Sequence, residues 1–181
     1  MHVRRFVWVA VVTVFLYGGM GSNWGKSAPP ITLQADGSMR IAAHTLRCGD
    51  VRNVLDRHLQ NLGISVPDAK LLVINPRLVA RQPGPVGLFV FHHECGHHHV
   101  GASELAADCW AVERGVLDGW LDAAGLVQIC KSFHDAPATA THPSGARRCS
   151  NLNRCFAAAL SRSDSSRSAS NGQASPVRAR P

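Results

Sequence analysis

Five histidines fall between residues 92 and 99, and two of them frame a glutamate in the run His93-Glu94-Cys95-Gly96-His97. On a helix, positions four apart differ by only about 40° around the axis, so both imidazoles reach one metal ion. Glu94 lies about 100° round from His93, within reach of a water at the metal without being a ligand. Two neutral imidazoles and a carboxylate base are the parts of zinc-dependent hydrolysis, in which the metal lowers the pKa of water toward ~7. A catalytic zinc also needs a third protein ligand and an open fourth position. Glu104 stands seven residues beyond His97 across a Gly-containing turn, and Asp108, four further on, shares its helix face. A carboxylate at 108 suits the second nitrogen of a ligand histidine, fixing its tautomer and orientation. Taken alone, Glu104 reads as an N-terminal helix charge and Asp108 as a solvated side chain. Beside the HExxH pattern, ligand and supporting carboxylate are the favoured roles.

His92, Cys95 and His99 share the opposite face and offer a second metal site. The favoured alternative puts Cys95 in a disulfide or packed as a thiol, with the histidines partly exposed. His98 reads as solvated. His142, in a turn before Pro143, suits oxyanion stabilisation or substrate holding, or is purely structural, and both readings stand.

These side chains need elements to hold them. Ile31–Ala35 and Ser38–Ala42 flank Asp36-Gly37, a hairpin signal. Val51, Val54, Leu55, Leu59 and Leu62 recur at helical spacing, predicting a helix from Gly49 to Leu62 stopped by Gly63. Leu71–Ile74 is a short buried strand. Pro85 opens a helix that carries the histidines as far as His99, and Gly101 ends it. Ser103 caps a second helix from Glu104 to about Gly115. A third covers Leu121–Phe133, and a short one Leu152–Leu160. The expected architecture is α+β, with the two metal-bearing helices against a short antiparallel sheet that joins the hairpin to strand 71–74. If that strand is an edge beside the cleft, an extended substrate pairs with it.

The 181-residue chain carries 19 Lys+Arg against 12 Asp+Glu, a formal charge of +7. A nucleic-acid role fails on where that charge lies. Residues 1–26 hold +3 and 161–181 hold +3, whereas 27–160 carry 12 basic and 11 acidic residues. Arg4 and Arg5 precede an apolar run of twelve residues, Phe6–Tyr17, followed by small residues. That is the layout of a secretory signal peptide, or of an N-terminal anchor if uncleaved, and is shorter than the roughly 20 residues that span a bilayer. Export makes disulfides the default for the six cysteines, with the pairing open. Residues 161–181 are Ser, Arg, Ala and Pro and predict a disordered tail, leaving 27–160 as the folded domain.

His93-Glu94-x-x-His97 followed by Glu104-x-x-Ala107-Asp108 resembles the gluzincin metallopeptidases, and the ExxAD element looks like the CAAX prenyl endopeptidase and HtpX-like group. Thr141-His142-Pro143 with Arg147 or Arg148 is similar to that group's late signature, and the resemblance spans roughly residues 71–150. It implies a zincin-like fold, Zn2+ held by His93, His97 and Glu104, Glu94 as general base, and Asp108 orienting a ligand. The gap from His97 to Glu104 is far shorter than in that group, and its multiple membrane spans are missing. A metzincin would need His at 103, where this chain has Ser103. The functional expectation is an exported zinc metallopeptidase, periplasmic or secreted, that hydrolyses peptide bonds of a peptide or protein substrate. The alternatives are an envelope protein that binds metal through the histidine cluster without catalysis, and a disulfide-braced interaction module.

Overall fold

A computed structural model describes residues 30–171. The segment read as an export signal lies outside them, as do residues 172–181. Asp36-Gly37 turns the chain between β1 (Thr32–Leu33) and β2 (Met39–Ile41), which pair antiparallel. Gly37 sits at φ 80°, which costs glycine little because it has no Cβ, and Asp36 Oδ1 accepts from the Ser38 amide and hydroxyl. β3 (His44–Leu46) completes this antiparallel sheet.

Residues 49–62 do not form the expected helix. Arg52–Leu55 is β4, which pairs in parallel with β6 (Leu71–Ile74), while β5 (Gly63–Val66) lies antiparallel on the other side of β6. The apolar spacing satisfies a helix, but Val54 and Leu55 instead lie opposite Val73 and Ile74. Pairing with a buried strand overrides local periodicity. Two further expectations change. The hairpin and strand 71–74 belong to separate sheets, the second of them mixed, and β6 is central, so the edge beside α2 is β5.

Asn75 caps α1 (Pro76–Val79), accepting from the Arg77 and Leu78 amides. Pro85 lies in the first turn of α2 (Gly84–Val100). Ser103 caps α3 (Glu104–Leu117) through the Ala106 amide, and Asp122 caps α4 (Ala123–Phe133) through that of Gly125. α2 is the central element. Leu88 and Phe91 pack with Met39, Ile41, Leu72 and Ile74 on the sheet side, while Val86 and Phe89 pack with Ala111, Val112, Ile129 and Leu152 on the helix side. Each large side chain buried there contributes about 1.5–3 kcal/mol relative to exposure. Gly96 lets α3 close in: a Cβ at 96 would sit 3.2 Å from the Ala107 backbone.

α5 (Gly145–Asn171) is far longer than expected. Residues 161–171, which composition assigned to a disordered tail, continue the helix. Leu152 and Ala159 anchor it in the core, and Arg162 bonds Glu113 of α3 at 2.7 Å. Once a helix is docked, adding residues is cheap compared with nucleation. Disulfides Cys48–Cys95, Cys109–Cys155 and Cys130–Cys149 tie α2 to the segment after β3, α3 to α5, and α4 to α5. Each stabilises by about 2–4 kcal/mol. Three disulfides point to an oxidising, exported environment. Among the described residues no helix is long and apolar enough to cross a membrane.

Candidate metal centre and cleft

The two helices meet at residues 93, 97 and 104. His93 Nε2 lies 3.2 Å from His97 Nε2 and 3.2 Å from Glu104 Oε2, and His97 Nε2 lies 3.5 Å from Glu104 Oε1. Zinc with bonds of about 2.0–2.1 Å in tetrahedral geometry separates its ligand atoms by roughly 3.3–3.4 Å, close to these spacings, with the two histidines approaching different oxygens of Glu104. The tautomers agree. His93 Nδ1 is 2.9 Å from Asp108 Oδ1 and His97 Nδ1 is 2.8 Å from the Gly101 carbonyl. With each Nδ1–H donated to these acceptors, both Nε2 lone pairs face one point. Glu104 Oε2 is a buried acceptor facing the same place, with His93 Nε2 beside it.

Asp108 is fully buried and is also held by Arg148, whose Nε and Nη2 donate to its two oxygens at 2.9 and 2.5 Å. Arg148 lies over the Phe133 ring, 4.4 Å from its centroid. Burial pushes the Asp108 carboxyl up, and the hydrogen bonds from Arg148 and His93 more than offset this, holding it below the usual carboxylate range. For His93, burial acts downward and the hydrogen bonds to Asp108 and Glu104 outweigh it, raising the metal-free imidazole to about 9. Glu104 is likewise pushed up by burial and brought below its ordinary value by His93, His142 and His97.

Glu94 lines the cleft together with the three residues of the triangle. Burial raises its carboxyl pKa above the ordinary value. The cleft has two connected parts sharing Asn61, Gly63, His93, Glu94 and His142. One, of about 570 Å³, runs between β5 (Ile64, Ser65) and the turn Ala140–His142. The other, of about 400 Å³, is floored by Leu62, Leu78, Val86, Phe89, Val90 and Phe133. Gly63 is required by this packing, since a Cβ there would meet Glu94 Cγ and Ile74 Cδ1 at 2.9 Å. His142 is half exposed, with Nδ1 2.8 Å from the Thr141 hydroxyl and Nε2 3.6 Å from Glu104 Oε1.

The fold thus brings together His93, Glu94, His97, Glu104, Asp108 and His142, and selects Arg148 over the exposed Arg147. The second metal site does not form. Cys95 is bonded to Cys48, so neither sulfur is a thiolate, while His92 stacks on Trp120 and His99 on Trp110 with ring centroids 5.1 and 4.8 Å apart. His98 is partly buried, with no side-chain partner for its Nε2. Gly63 and the β5 edge were hidden by the helical spacing of 51–62, although the alternation of Ile64 and Val66 carried a strand signal. Compared with protein-family models, curated proteins and solved structures, the chain matches none.

Proposed function

We propose that this chain is an exported zinc-dependent peptidase of the gluzincin type, working in the periplasm or outside the cell. The observation that carries the reading is the triangle of His93 Nε2, His97 Nε2 and Glu104 carboxylate oxygens, with each histidine held through Nδ1 and with Glu94 beside it in an open cleft. His93, His97 and Glu104 would hold Zn2+. Bound there, zinc would supply the Lewis acidity that activates a water and polarises the scissile carbonyl. Glu94 takes the proton of the attacking water and delivers it to the leaving amine, a task helped by its raised pKa. Asp108, fixed by Arg148, keeps the His93 proton on Nδ1. His142 lies across the cleft from β5, where it can hold substrate or the developing oxyanion. The free edge of β5, with Ile64 and Val66 exposed, offers backbone groups to an extended peptide.

Glu94→Gln tests the reading. The variant should bind zinc as the parent does and lose about 10²–10⁴ of its peptide cleavage rate. Cleavage at the parental rate overturns the mechanism. Stoichiometric zinc in a parent that cleaves no peptide in a broad library overturns the enzyme and leaves a metal-binding protein.

A further inference from the structure

Next to the cleft lies a second concavity of different chemistry. It has a volume of about 380 Å³ and its polar wall is Arg57, His58, Gln60, Arg77 and Arg81. Gln60 and Leu78 line both this hollow and the apolar part of the cleft beside Glu94, so the two adjoin. No acidic residue lines it, and among the described residues none of the three arginines has a carboxylate within salt-bridge distance. Residues 27–160 balance 12 basic against 11 acidic side chains, so three arginines and no carboxylate in the wall of one hollow are a local concentration that average charge does not explain.

The hollow is also held in shape. Asn75, only 3% exposed, donates to the Leu59 and Arg57 carbonyls at 2.7 and 3.4 Å and accepts from the Arg77 and Leu78 amides at 2.9 and 3.2 Å. One buried amide therefore ties the backbone of the Arg57 loop to the start of α1, which carries Arg77. Arg81 follows one turn later, its amide bonded to the Leu78 carbonyl. The guanidiniums keep their side-chain freedom, but their stems are set around a fixed rim.

We propose that this basic hollow is a subsite for a carboxylate of the substrate, so that the cleft selects acidic peptides. The proposal rests on the peptidase reading above. Guanidinium forks match a carboxylate in two parallel hydrogen bonds, stronger than neutral ones. A peptide running from the apolar floor past Gln60 and Leu78 delivers a residue a short way from the scissile bond into the hollow, and either a Glu or Asp side chain or a free C-terminus supplies the charge.

The test measures binding and turnover separately. Binding of N-acetylated hexapeptides to the zinc-loaded Glu94→Gln protein is measured by calorimetry, with Glu or Gln at each position and with a C-terminal acid or amide. An acidic peptide should bind about tenfold more tightly than its neutral counterpart at low salt. That advantage should shrink as salt screens it and vanish in Arg57→Gln/Arg77→Gln/Arg81→Gln, whose exposed side chains carry no part of the fold. The acid and amide arms show which carboxylate is used. Charge-blind binding, or a preference that survives the triple substitution, overturns the subsite. Cleavage is scored on the parent chain: charge-blind binding with Glu94-dependent cleavage removes only the subsite, and arginine-dependent binding without cleavage removes only the peptidase.

Discussion

His93 is fixed from both sides, with Asp108 on Nδ1 and the ligand triangle on Nε2. Its neighbour His92 points the other way and has the opposite character. Neither ring nitrogen of His92 has a hydrogen-bond partner, and the ring stacks on Trp120 and lies 6.1 Å from Trp110. Burial lowers its pKa to about 4; Asp118 opposes the shift, while Arg114 and His44 add to it. The unfolded imidazole titrates near 6.5, so below that pH the unfolded chain takes up the proton first. The stabilisation is complete above about pH 6.5 and is lost as pH falls, amounting to about 3 kcal/mol by pH 4. Urea midpoints should therefore fall more steeply with acid in the parent than in His92→Phe. Parallel pH profiles would refute a buried neutral His92.

Gly63 shows what an element contributes that no single side chain does. It begins β5 directly against Glu94, so the strand proposed to pair with substrate also sets where the proposed base can stand. Gly63→Ala should displace Glu94 and lower kcat by ~10-fold or more with zinc content unchanged, since small misplacements of a catalytic group are costly. An unaltered kcat would separate β5 from the base. The helices that carry the site were legible in sequence because their signals are local: Pro85, the Ser103 cap, and four-residue spacings that survive folding as faces. That His93, His97, Glu104 and Asp108 meet follows from such spacings. β4 and β5 were not legible, because Val54 and Leu55 satisfy a helix and a strand equally and the choice is made by β6, some twenty residues away. The arginine hollow was invisible for the same reason, as the Arg57 loop and α1 are brought together by the tertiary bonds of Asn75.

Across the molecule, α2 is pinned at both levels that matter for a rigid site. Core side chains hold its first turns, and Cys48–Cys95 fastens the turn that carries the histidines. The +7 of the chain is a property of its two ends, whereas the domain between them is nearly neutral and places three arginines around one hollow beside the cleft. A small domain braced in this way can present two imidazoles and a carboxylate at fixed separations before any ion arrives, which lowers the cost of binding one. Elemental analysis of the purified parent and of Glu104→Ala, each equilibrated with limiting zinc, tests that arrangement. One zinc per chain in the parent, lost or greatly weakened in the variant, is the predicted result. Undiminished stoichiometric zinc in Glu104→Ala would mean that another set of ligands holds the metal.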